Sequence, residues 1–145
     1  MKKLIIITFA ILLINQIGYG QKCNIETIKS LRINKDSLTD DLIFNFLVSI
    51  DESCQNNVEW SEASNWTLFW LADIETKRFI KQLKLNQEKI DIQLIIEEFK
   101  QPINDEINLV GIHAKITDLN DNDEIVLKIL DSIKLAAEGL GLKIE

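Results

Sequence analysis

Apolar residues recur along this chain at intervals of three and four, the period of a helix with one buried face. The first such stripe is Ile25, Ile28, Leu31 and Ile33, and Asn34-Lys35-Asp36 breaks it. Ser37 stands where an N-cap is expected, with Asp40 and Asp41 at the positive end of the following helix. That helix is predicted from Leu38 to about Ile50, burying Leu42, Phe46 and Ser49 with Ile43, Leu47 and Ile50 beside them. A polar loop from Asp51 to Asn57 follows and holds Cys54.

All three tryptophans, Trp60, Trp66 and Trp70, fall between Cys54 and Ala72, and from Trp66 to Ala72 only Thr67 interrupts the apolar run. A helix apolar around its whole circumference belongs inside a protein, so this one is expected to be central. Ser61 is its expected cap, with Glu62 in the first turn. Trp66 and Trp70 are assigned to the core, whereas Trp60 is balanced between core and ligand platform. Asn57, Glu59 and Asn65 are expected to satisfy one another around the start of the helix.

Asp73 is expected to cap a second helix from Ile74 to about Leu83, with Phe79, Ile80 and Leu83 as its stripe. So short a connection implies an αα-hairpin. Asn86 opens the next predicted helix, which carries Ile92, Ile95, Ile96 and Phe99 and ends before Pro102, a residue without an amide donor. A helix from about Ile107 to Leu119 carries Leu109, Ile112, Ile116 and Leu119. After the polar run Asn120 to Glu124, a last helix buries Val126, Ile129, Leu130, Ile133, Ala136 and Ala137 and stops at Gly139 and Gly141. No stretch alternates with a period of two; Ile90-Asp91-Ile92 comes nearest. The expected fold is therefore all-α, a compact array of about six to seven helices paired as αα-hairpins, without an internal repeat.

The first twenty residues read differently. Lys2 and Lys3 precede the apolar LIIITFAILLI, and Gly18 and Gly20 have the spacing a signal peptidase accepts. Residues 1–20 are thus expected to be a secretory signal peptide, leaving Gln21 first in a single helical domain over 21–145. An uncleaved anchor is disfavoured because the apolar core falls short of the ~20 residues a spanning helix needs. A lipoprotein is disfavoured because Lys22, not a small residue, precedes Cys23.

The whole chain carries a formal charge of −7, and loss of Lys2 and Lys3 would make it −9. Nucleic acid and anionic membrane surfaces would be repelled, and a cationic partner attracted. Two cysteines in an exported chain are most simply one disulfide, Cys23 to Cys54, worth about 3–4 kcal/mol in the chain-entropy model.

The segment Asn56-Asn57-Val58-Glu59-Trp60-Ser61-Glu62, followed by Asn65 and Leu68-Phe69, resembles a motif of small exported helical proteins of bacteria. The resemblance runs from about Leu42 to about Ile107 and includes Pro102-Ile103-Asn104-Asp105. It implies an all-helical exported domain and brings no catalytic residue with it.

Candidate chemistry is sparse. Asp118-x-Asn120-x-Asn122 matches the first three ligand positions of an EF-hand loop, but Asp123 stands where glycine is needed and Ile129 where the bidentate glutamate belongs. Asp121, Asp123 and Glu124 are better read as cap and first-turn acids, and no metal or cofactor is expected. His113 is the only histidine, and with both cysteines bridged a zinc site lacks ligands. No Ser-His-Asp set or glycine-rich phosphate loop is present. Asn65-Trp66-Thr67 is a glycosylation sequon inside a predicted helix, where it means little.

Two functions remain. The first is a non-enzymatic domain that binds a protein partner, with Asn56, Asn57, Glu59, Trp60 and Glu62 as the candidate surface. Its specific form is an inhibitor or immunity-type protein for a basic enzyme. The alternative is a small hydrolase using Glu59 and Glu62 as paired carboxylates beside Trp60.

Overall fold

The computed structural model describes residues 23–144, so the expected signal peptide lies outside the described residues. Seven α-helices and no strand occur among them: α1 Ile25–Ile33, α2 Asp40–Ser49, α3 Val58–Ile74, α4 Thr76–Leu85, α5 Ile92–Lys100, α6 Leu109–Thr117 and α7 Glu124–Gly139. The fold is all-α, as the periodicity predicts.

Short polar side chains start most of these helices. Asn24, Thr39, Asn57, Asp91, Asn108 and Asp123 each accept a hydrogen bond from a backbone N–H two or three residues on. Five starts differ from the sequence expectation. Ser37 closes a 3₁₀ turn and Thr39 caps α2. Asn57 replaces Ser61 as the cap of α3, adding one turn to that helix. Asn86 instead donates from Nδ2 to the Gln82 carbonyl and Oε1 at the end of α4, leaving Asp91 to cap α5. The helix expected from about Ile107 begins at Leu109, after the Asn108 cap. α3 also runs past Asp73 to Ile74, and Glu75 alone separates it from α4. At the far end, Gly141 takes a left-handed φ of 74°, and Gly141 and Leu142 donate back to Glu138 and Ala137. That is the closure glycine permits at a helix C-terminus.

α1 packs on α2, α7 packs on both α5 and α6, and α3 packs on α1, α4 and α6. Phe46, Phe69, Phe79 and Phe99 are the largest fully buried side chains. Phe99 meets Phe69 edge-on at 4.9 Å and Phe79 at 6.0 Å, joining α3, α4 and α5. In α1, Ile28 and Leu31 are buried, but Ile33 is 81% exposed. Leu42 and Leu130, expected inside, are partly buried at the core's edge.

One covalent tie and one polar tie join α1 and α2 to the rest of the array. The disulfide forms as expected, with Cys23 and Cys54 sulfurs 2.10 Å apart, and fastens the start of the described chain to the turn before α3. Arg78 of α4 donates to Asp40 at 2.8 Å and to the Leu38 carbonyl at 2.9 Å, joining α4 to the start of α2. No helix among the described residues is long and apolar enough to cross a membrane.

Candidate functional site

At 100° per residue, Glu59, Glu62, Trp66, Trp70 and Asp73 of α3 fall within an arc of roughly 80°. None of the five is buried. The buried residues of the helix, Trp60, Ser64, Asn65, Thr67, Leu68, Phe69, Leu71 and Ala72, all lie outside that arc. The tryptophan helix is therefore two-faced, which corrects the expectation that it is enclosed on every side. Trp60, the one balanced between core and platform, is 2% exposed. Trp66 and Trp70, assigned to the core, are only partly buried on the outer face. The apolar run of seven residues is too short to show this, because it covers only two turns.

On that face Trp66 and Trp70 stack, with centroids 6.3 Å apart and planes 10° from parallel. Their spacing of four residues brings the rings together on a helix surface. From the end of α1, the Arg32 guanidinium carbon reaches 4.6 Å from the Trp66 centroid, a cation–π contact.

A cleft of about 220 Å³ opens beside the pair. The two indoles and Phe69 line it from α3, and Ile107 and Ile112 line it from the α6 side. Asp73, Glu106 and Asn108 supply its polar groups. Asn108 Oδ1 is engaged in capping, since it accepts from the Gly111 amide at 3.0 Å. Lys115 donates to Asp73 Oδ1 at 2.5 Å and to the Asp73 carbonyl at 2.9 Å, so that carboxylate is already matched by a cation. Glu106 is exposed, and its carboxylate has no ion pair among the described residues.

The residues singled out from sequence are divided by the fold. Asn56 is exposed before the helix, and Asn57 is the exposed cap that accepts from the Trp60 amide at 3.2 Å. Glu59 and Glu62 are exposed in the first turns of α3 and do not line the cleft beside Trp66 and Trp70. Trp60 is enclosed and cannot serve as a surface contact. Asn65 does not bond to Asn57 or Glu59. It is 2% exposed, donates to Glu98 Oε2 at 2.7 Å and to the Gln101 carbonyl at 3.2 Å, and accepts from the Ile103 amide at 3.2 Å. It thus clamps the end of α5 and the Pro102 segment, and its sequon is inaccessible.

The acidic loop before α7 is also engaged. Asp123 caps α7, Asp121 lies 2.6 Å from Lys84 and Asp118 is the last residue against α6. The hydrogen bond from Lys84 holds the Asp121 carboxyl below its usual value, helped by the Asp123 amide. No group of three or more metal-ligating side chains gathers among the described residues. Partial burial, reinforced by the positive charge of Lys134, pushes the His113 imidazole down, although Asp131 opposes the shift. His113 Nδ1 lies 3.5 Å from the Thr117 hydroxyl, one turn along the same helix.

Arg32 and Glu106 join this site across the fold from positions that carry no motif. The outer tryptophans did leave a trace in sequence, because Glu59, Glu62 and Asp73 lie at helical spacing from them. Compared with protein-family models, with curated proteins and with solved structures, the chain finds no match in any of the three.

Proposed function

We propose that this chain is an exported, non-enzymatic domain that acts by binding a basic protein. In its most specific form it is an inhibitor or immunity-type protein that holds a basic enzyme in the periplasm or outside the cell. The observation that carries this reading is the outer face of α3, where a stacked tryptophan pair stands on the same face as the exposed carboxylates of Glu59 and Glu62. Tryptophan anchors concentrate binding energy at protein interfaces, and acidic neighbours select a cationic partner and speed its encounter. The chain's charge of −7 acts in the same direction. Export is supported by the signal-like residues 1–20 and by the Cys23–Cys54 disulfide, a bond of oxidising compartments. Neither a cofactor nor a nucleic acid enters this reading, and the mature form needs no membrane.

The test is retention of proteins from a periplasmic extract on immobilised mature protein. A basic protein should be retained by the native chain and lost from the double variant Glu59→Lys, Glu62→Lys. A column that retains nothing, or retains the same protein equally after both reversals, would overturn the proposal.

A further inference from the structure

We infer that the cleft beside Trp70 receives a lysine or arginine side chain from a basic segment of the partner. This rests on the proposed function and names the contact by which it would work. The cleft, at about 220 Å³, is smaller than the ~300–1,000 Å³ typical of small-molecule and cofactor sites. One long side chain suits it better. The lining offers what such a side chain needs: Ile107 and Ile112 for the methylene stem, the two indoles and a carboxylate for the charged head.

The electrostatics favour a cation over an anion. Lys115 is balanced by Asp73, which leaves the Glu106 carboxylate as the unmatched charge of the lining. An anionic ligand would meet Glu106 and the acidic face of α3, with no free cation among the described residues of the lining. The fold also contains an instance of the recognition inferred. Arg32 already sets its guanidinium against Trp66, so this indole pair accommodates a cation from a neighbouring element. A partner's basic segment would repeat that contact at the Trp70 end.

Titration of isotope-labelled protein with octa-arginine, octa-lysine and octa-glutamate peptides at about 0.15 M salt tests this, where long-range attraction is largely screened. The cationic peptides should move the indole N–H signals of Trp66 and Trp70 while that of buried Trp60 stays in place, and octa-glutamate should move none. Glu106→Gln and Trp70→Leu should each weaken octa-arginine binding several-fold, the loss expected for one charge contact or one cation–π contact. Glu138→Gln removes the same charge from an exposed position on α7 and should leave binding unchanged. Glu106 is exposed, so Glu106→Gln should fold normally even if Trp70→Leu does not. Cationic binding that maps away from the cleft, or that Glu106→Gln and Glu138→Gln weaken equally, would overturn the cleft while leaving a basic partner in place. No response to either cationic peptide would remove the cleft assignment, and the extract experiment would then decide the broader reading separately.

Discussion

Trp66 and Trp70 lie one helical turn apart with their rings stacked at 6.3 Å on the outer face of α3, whereas Trp60 of the same helix is buried. A single helix thus carries one indole for stability and two at its surface. Exposed indoles are costly in water unless something covers them; among the described residues Arg32 lies over Trp66, and both rings line the cleft.

The three tryptophans should therefore respond differently to truncation. Trp60→Ala should cost about 3–5 kcal/mol, the range for emptying a large aromatic site in a packed core. Trp66→Ala and Trp70→Ala should cost roughly 1–2 kcal/mol each, because only part of each ring leaves water on folding. Urea unfolding of the three variants checks the order. A Trp70→Ala protein less stable than Trp60→Ala would show that the outer face is misassigned.

Asn65 is the polar side chain on which the α3–α5 junction depends. Asn65→Ala would strand the Ile103 amide and remove the donor shared by Glu98 and Gln101, costing about 1–3 kcal/mol. Asn65→Asp should be worse, since it sets a second carboxylate against Glu98. Thermal melts of both variants give the comparison, and an unchanged midpoint for Asn65→Asp would contradict this network.

Much of the fold was legible because helix periodicity is a local signal. Spacing alone places Ile28, Phe46, Phe79, Ile95, Phe99, Ile116 and Ile133 inside, and all are buried. Caps were harder to place, because several polar residues compete near each helix end and the chain uses the one whose side chain reaches a free amide. Asn57 does so for α3, where Ser61 lies within the helix. The cleft was least legible. It joins α3 to a segment about forty residues on, and Asn65 turned to that same region, which no local pattern foretells.

Reduction of the Cys23–Cys54 bond should lower stability by about 3–4 kcal/mol, given the sequence separation of 31 residues that it closes. Mass spectrometry of exported protein without reductant should find no free thiol and a chain beginning at Gln21. Free thiols at both positions, or a lipid on Cys23, would sink the disulfide and the export argument together.

Acid should weaken two of the ties between helices. Hydrogen bonds from Arg78 and then Lys81 hold the Asp40 carboxyl below its usual value, and Lys84 does the same to Asp121. In both cases the unfolded chain takes up a proton before the folded one does. Their stabilisation is therefore complete above the ordinary carboxylate value of about 4 and drains away as pH falls below it, through the depressed folded values. The loss of urea midpoint between pH 7 and pH 3 should be smaller in Asp40→Asn and Asp121→Asn than in the native chain. An equal loss in all three would show that these pairs contribute nothing.

On the proposed function, the partner's place is the outer face of α3. That assignment is tested most directly by placing a photo-crosslinking side chain at Glu62, or at exposed Leu135 on α7, and irradiating each protein with the basic partner recovered from extract. The Glu62 probe should give the covalent complex and the Leu135 probe should not. A complex formed from Leu135, with Glu62 silent, would place the interface on another face and contradict the account.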